Sequence, residues 1–351
     1  MRKTLSESAY SNELETIRKI GEQLGIGIND WLNKNDLKRI PLRTTNQVFH
    51  VNEFIFKNYI DNESFLAEVS IYLNRKRFSF KMPELVGTFV EEGNGAWSVL
   101  SYIEGITLQD FLDKYPASDL KKIFSVEVAR TIADFEKNSD SIEHIGITNW
   151  SMEESLFHLF EFLRKMGCEN LVSNLINVIR RGDIILAESS YKPCFDAFFK
   201  NILITFPKKK NVAFELVHCD FDKSFRRIPQ GESLSHISIS ERLSPFLDDA
   251  LIEYSRWSDV SKETALQILK ITSFARCLAG LRDAVRRVES EDESIELRRQ
   301  RIAIANWSIK CALQLIEEFS KTVNLQNYES QSLEELLLMI YEKLNHKKYL
   351  T

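Results

Sequence analysis

The sequence predicts an α+β protein, with a short strand-rich stretch near the N-terminus and a mainly helical remainder. Three observations carry that expectation. From residue 37 to residue 103 the apolar residues fall in short, often alternating runs of strand composition. After Asp113 they return every three or four positions, the helical period. The 351 residues also include only 12 Gly and 7 Pro, few breakers for a chain of this length.

Taken in order, residues 8 to 24 place Leu14, Ile17, Ile20 and Leu24 at helical spacing, and Gly25 and Gly27 end the pattern. A second short helix includes Trp31 and Leu32. Leu37 to Leu42, Gln47 to Val51 and Phe54 to Tyr59 then read as strands. Arg43, Thr44, Thr45 and Asn46 join the first two, and Asn52 with Glu53 turns tightly between the last two. Asp61 or Asn62 caps the helix ESFLAEVSIYLNRK, whose acids are Glu63 and Glu68. Leu66, Val69 and Leu73 are expected to set its apolar face beside Glu68. Met82 to Val90 and Ala96 to Ile103 are two further strands around Gly93-Asn94-Gly95. Gly105 allows a turn that most residues resist. Thr107 and Asp110 offer a capping box to a helix bearing Leu108, Phe111 and Leu112.

Helical periodicity continues over Ile123 to Phe135, Glu153 to Met166 and Leu171 to Ile185. Ile202 to Phe206 and Val212 to Val217 form a hairpin pattern around Lys208, Lys209 and Lys210. The polar segment SFRRIPQGESLSHISIS is expected to loop, with Arg226 and Arg227 facing water. Asp248 and Asp249 open a helix to Trp257, where the helix dipole satisfies them. Helices near 262–289, 295–322 and 332–346 complete the chain, and RRVESEDESIELRRQR is a solvated junction.

Composition narrows the function classes. Apolar content of 44% with 28% charged residues describes a globular chain. A net charge of −5 calls for no nucleic-acid partner. Cys168, Cys194, Cys219, Cys277 and Cys311 are scattered, as expected of reduced thiols in a cytoplasmic protein and not of a zinc cage or disulfide scaffold. MRKTLSESAY leads into no apolar stretch, so no secretory signal is expected, and no run approaches the roughly 20 apolar residues of a membrane span. Neither a G-x-x-x-x-G-K-[ST] nor a G-x-G-x-x-G motif is present. His144 and His158 are isolated and expected to be structural or exposed.

Two features remain that point to chemistry. Lys57 lies within FIFKNY, flanked by apolar alternation, so it is expected to point inward and to need an anionic partner. The stretch KPCFDAFFKNILITFPKKKNVAFELVHCDFD holds Asp196 with Asn201 five residues on, then Asp220, Phe221 and Asp222 after an apolar run. An Asp on a loop, an Asn before one strand and an Asp after the next can converge. Their oxygens suit magnesium, a hard cation that shares its coordination with phosphates.

This spacing resembles the catalytic and metal-binding segment of the aminoglycoside phosphotransferase and choline kinase family, which has the protein-kinase-like fold. Those proteins carry Asp, four intervening residues and Asn, and later Asp-x-Asp or Asp-x-Glu. WSVLSYIEGITLQDFL is similar to their linker between lobes. The resemblance covers about residues 38 to 260. It implies a bilobal fold: an N-terminal helical extension (1–36), a small antiparallel sheet lobe with one key helix (37–103) and a large helical lobe (104–351).

By the same resemblance, Asp196 would orient the acceptor hydroxyl, and Asn201, Asp220 and Asp222 would hold Mg2+. Lys57, positioned by Glu68, would bind the phosphates of ATP. Thr44, Thr45 and Asn46 would cover those phosphates, and main-chain atoms from Ser101 to Ile103 would meet the adenine. The implied activity is ATP-dependent phosphorylation of a hydroxyl on an aminoglycoside, choline-like or sugar-like acceptor. No oligomeric state follows. The chain departs from the pattern in three places. Cys194 and Phe195 stand where His-Gly or a similar pair usually precedes the Asp, the 43–46 loop lacks glycine, and VARTIADFEKNS lacks a Leu-His pair. A catalytically silent kinase-like module binding a nucleotide or partner is therefore the rival, and a kinase acting on Ser or Thr of a peptide is a third reading.

Overall fold

The computed structural model describes residues 7–32, 38–40, 46–91, 95–165, 167–206, 214–288 and 295–345. Thr44, Thr45, Gly93 and Asn94 of one expected turn, the Lys208–Lys210 turn and the middle of the charged junction lie outside them. The chain divides into two compact units. One comprises residues 1–118, 134–147 and 193–226; the other comprises 119–133, 148–192 and 227–351.

The first unit is built on a five-stranded antiparallel sheet. Its strands are β1 (Lys38–Ile40), β2 (Gln47–Val51), β3 (Phe54–Tyr59), β4 (Leu85–Glu91) and β5 (Gly95–Ser101), ordered β1-β2-β3-β5-β4. Asn52 adopts φ 55° and so closes the β2–β3 turn in the conformation that Asn tolerates best among side chains. That turn sets Val51 opposite Phe54 and Gln47 opposite Asn58. Phe49, Phe56, Trp97 and Val99 from the sheet pack with Ile17 and Ile20 of α1 (Glu7–Gln23) and Leu32 of α2 (Asn29–Leu32). Each such buried side chain contributes about 1.5–3 kcal/mol.

Helix α3 (Asn62–Leu73) follows β3. Asp61 caps it, accepting the Ser64 N–H at 2.7 Å. Its buried face is Phe65, Ala67, Glu68, Ile71 and Tyr72, whereas Leu66 and Leu73 are 38% and 71% exposed. The apolar face is therefore not the one the Leu66–Leu73 spacing predicts, although Glu68 is buried as expected.

After β5 the linker leads into β6 (Ile106–Thr107) and α4 (Leu108–Lys114). β6 joins the strands Ile202–Thr205 and Glu215–His218 in a second, three-stranded sheet. Gly105 is required by proximity and not by an unusual φ, since a Cβ there would lie 2.8 Å from the Ile204 carbonyl oxygen. Thr107 caps α4, accepting the Asp110 N–H at 3.0 Å, and the Asp110 carboxylate accepts the same hydroxyl at 2.6 Å.

The second unit is helical. Its long helices Lys262–Val288 and Ile295–Thr322 pack side by side. Their core residues, among them Phe274, Leu281, Ile309 and Phe319, merge with those of Phe157–Lys165, Glu169–Ala187 and Asn327–Leu344. Two expectations need correction here. The helix expected over 153–166 is two, Met152–Ser155 and Phe157–Lys165, and the last helix begins at Asn327, where Gln326 and Glu329 form a capping box.

The segment 224–240 is not a loop either. It contains the strand Arg226–Pro229, a 3₁₀ turn Glu232–Leu234 and a short helix Ser235–Ser238. Its polar residues are buried because Arg276 reaches them, with Nε donating to Ser235 Oγ at 2.5 Å and Nη2 to the Glu232 carboxylate. No described helix is long and apolar enough to cross a membrane.

Candidate active site

The site belongs to the first unit and is organised by Lys57. The β3 pleat turns this side chain inward, and it is 3% exposed. Its Nζ donates to Glu68 Oε2 at 2.5 Å and to Asp220 Oδ1 at 2.5 Å, and lies 3.8 Å from Asp222 Oδ2. A buried ammonium is tolerated only when paired, and here a strand, a helix and a distant loop supply the pairing. Burial by itself would lower the Lys57 pKa. The carboxylates of Asp220 and Glu68 outweigh it and hold the ammonium well above the usual lysine range. Glu68 is fixed in turn by the Tyr72 hydroxyl, which donates to Oε1 at 3.0 Å from one helical turn away. Tyr59 lies beside Lys57, with the ammonium 4.9 Å from its ring centroid.

The acids arrive at the end of Glu215–His218. Asp220 has φ 69°, a left-handed backbone uncommon outside Gly and Asn. Phe221 anchors the turn, edge-on to Tyr72 at 5.6 Å within a cluster of Phe80, Phe135 and Phe195. Asp222 Oδ2 accepts from Asn46 Nδ2 at 2.7 Å, while Asn46 Oδ1 accepts the Ile60 N–H at 3.2 Å. Burial, with the Asp220 charge behind it, pushes the Asp222 carboxyl up to about 7. Its Oδ1 is buried and has no hydrogen-bond partner among the described residues.

Asn201 ends the 3₁₀ turn Phe199–Asn201, and its carbonyl accepts the Cys219 N–H at 2.8 Å. This backbone bond sets Asn201 beside the residue that precedes Asp220. Asp196 Oδ2 accepts from Lys223 Nζ at 2.7 Å. Lys57, Glu68, Asp220, Asp222 and Asn46 thus form one polar cluster, and Asp196 is tied to it through the Asp222–Lys223 step of the chain. Thr44 and Thr45 fall outside the described residues.

The linker is partly committed. The Ser101 N–H donates to the Glu84 carbonyl at 2.9 Å and the Tyr102 N–H to the Glu53 carbonyl at 2.8 Å. A cavity of about 560 Å3 lies beside the linker, lined by Phe80, Met82, Tyr102, Ile103, Glu104 and Phe206 among others. None of the charged cluster lines it, so cavity and cluster are separate features.

The donor set suits a hard cation carried by phosphates. Two carboxylates, one with an oxygen that has no partner among the described residues, are what magnesium uses when substrate oxygens and water complete its shell. Among the described residues no three His, Cys, Asp or Glu side chains gather into a protein-only cage.

Three participants escape sequence reasoning. Lys223 had no periodicity to mark it. Tyr72 was signalled only by its i+4 spacing from Glu68. His218, 2% exposed and with neither ring nitrogen partnered among the described residues, sits between Phe80 and Phe195 at 5.3 Å from each ring.

Comparison with known proteins places the fold. No family model and no curated protein matches the sequence. Among solved structures, the GDP complex of aminoglycoside 2'-phosphotransferase-IIIa is similar over 88% of this chain and 99% of its own, with TM-score 0.59 and 13% identity. A choline/ethanolamine kinase family protein from Mesorhizobium loti matches over 85% and 92%, with TM-score 0.59 and 12% identity. An ADP-bound aminoglycoside phosphotransferase matches over 80% and 96%, with TM-score 0.53 and 14% identity. The chain, a mixed α+β protein with a small antiparallel sheet and a large helical region, therefore has the kinase-like fold of aminoglycoside phosphotransferases and choline/ethanolamine kinases, on a sequence far from theirs.

Proposed function

We propose that this chain transfers a phosphoryl group from ATP to a hydroxyl of a small molecule. The observation that carries the reading is Lys57 Nζ, 2.5 Å from both Glu68 and Asp220, residues 11 and 163 positions away in sequence. Structure of that kind is costly to bury and has an evident use in meeting phosphates.

Lys57, oriented by Glu68, binds the nucleotide phosphates. Asp220 and Asp222, with Asn201, hold the magnesium that accompanies them, and Asn46 keeps Asp222 in place. Magnesium, when bound, neutralises charge on the transferring phosphoryl group. Asp196 accepts a hydrogen bond from the acceptor hydroxyl and takes its proton late. Alignment and charge account for most of the rate in such a scheme. The solved structures of this fold include GDP and ADP complexes and one with kanamycin, in keeping with a nucleotide and a polyhydroxyl acceptor.

The silent-module reading is favoured by the ion pairs that Asp196 and Asp220 already make with Lys223 and Lys57, and by Cys194 and Phe195 before Asp196. The deciding experiment measures ATP-dependent phosphorylation across a broad acceptor panel for wild type, Asp196→Asn and Asp220→Asn. Transfer by wild type and its loss in both variants is expected. Magnesium-dependent ATP binding without turnover on any acceptor would favour the module, and unaltered rates in both variants would reject the assigned roles.

A further inference from the structure

Lys223 comes directly after the acid turn and reaches back to Asp196, with its Nζ 2.7 Å from Oδ2. The two partners are unequally placed. The Asp196 side chain is 10% exposed and that of Lys223 is 48% exposed. The carboxylate is the inner member of the pair and the ammonium is the outer one. In the segment PCFDAFFK around it Asp196 is the sole acid, and Lys200, at its end, is exposed. A molecule approaching Asp196 from solvent therefore meets positive charge before negative.

We propose that Lys223 sets the charge class of the acceptor, selecting a hydroxyl compound that carries a carboxylate or phosphate over one that carries ammonium groups. The proposal rests on Asp196 as the acceptor-facing group, as read above. A cationic acceptor needs carboxylates free to receive it, and here the inner carboxylate is matched while the outer charge repels. An anionic acceptor does the opposite. Its carboxylate or phosphate takes a charge-assisted hydrogen bond from Lys223, whose flexible four-carbon stem lets the ammonium swing outward. The Asp196 Oδ2 that Lys223 had occupied then accepts the hydrogen bond of the hydroxyl. Lys223 is in this sense a specificity-determining residue: it recruits the acceptor and yields its place on Asp196 in one movement.

The test uses the full chain and three sugars of similar size: glucuronate, glucose and glucosamine. Their binding is measured by calorimetry with magnesium and a non-hydrolysable ATP analogue, and transfer from ATP is followed in parallel. Wild type should bind the acid best and the amine worst, with at least about a tenfold span at low salt, from unit charges a few ångströms apart in a partly screened site. Lys223→Gln should flatten the order and Lys223→Glu should reverse it. Because Lys223 is half exposed, the Gln variant retains the fold and keeps the comparison valid even if the Glu variant does not. Best binding of the amine to wild type, the same order in all three proteins, or binding of none of the sugars would overturn the proposal. Binding in the expected order without transfer would count against the reaction and leave the charge assignment standing. Transfer without a charge order would do the reverse.

Discussion

Two lysine–aspartate pairs, Lys57–Asp220 and Lys223–Asp196, have nearly the same length, 2.5 and 2.7 Å, and very different settings. Lys57 is buried, held between a helix and a loop, and its partner Glu68 is held in turn by the Tyr72 hydroxyl. Lys223 lies on the same short loop as the acid turn and leaves half of its side chain in water. The difference teaches which end of the site is fixed and which can adapt. A buried charge network has one low-energy arrangement, so it presents an unvarying cation. A half-exposed pair is weak and replaceable, so it can yield to an incoming group. On the function proposed above, the fixed pair would serve the nucleotide and the adaptable pair the acceptor.

That contrast breaks most visibly at Lys57. Lys57→Met leaves Glu68 and Asp220 facing each other without a cation, and stability to urea should fall by about 3–5 kcal/mol. A loss below about 1 kcal/mol would mean the buried cluster is no more consequential than a surface pair. Next comes Asp220→Asn, which keeps the shape and removes the charge. Phosphoryl transfer should fall on the order of 10³-fold, about 4 kcal/mol, in initial-rate assays. An undiminished rate would move the metal role elsewhere.

The third prediction sharpens the comparison from beneath. Burial lowers His218 from its ordinary 6.5 to about 3. The native state keeps it neutral while the unfolded chain gains a proton. The stability it allows is complete above about pH 6.5 and is lost as pH falls toward 3, amounting to about 3 kcal/mol by pH 4. His218→Leu should lose this share of the acid slope in denaturation curves taken from pH 7 to pH 4; parallel curves would assign the slope to other groups. Smallest is Lys223→Gln, which should change stability by less than about 1 kcal/mol even as it alters acceptor choice. A larger loss would place Lys223 among the fixed elements.

Local chemistry made much of this legible. Strands Gln47–Val51 and Phe54–Tyr59 and the cap at Thr107 follow from alternation, turn residues and capping, which act within a few positions. The candidate residues Lys57, Glu68, Asp196, Asn201 and Asp220 are picked out by a resemblance of spacing to a known family, since local periodicity marks only the inward Lys57. What failed depended on distant partners. Glu68 is buried because Phe65, Ile71 and Tyr72 carry α3 inward, and the more apolar-looking Leu66 and Leu73 stay outside. Residues 224–240 look like a polar loop because their partner, Arg276, lies some 40 positions later. Lys223 is one more lysine in the sequence until Asp196 is folded against it. Ser101 and Tyr102 looked available to a base until Glu84 and Glu53 took their amides.

The left-handed backbone at Asp220 decides how this position can be interrogated. A conformation of this hand costs an ordinary L-residue roughly 1–2 kcal/mol, and Asn is among the few side chains that enter it readily. Alanine or valine at 220 would therefore mix two injuries, a missing carboxylate and a chain bent against its preference, and the larger could be mistaken for chemistry. The amide exchange separates them, and glycine supplies the complementary control: backbone ease restored with no side chain at all.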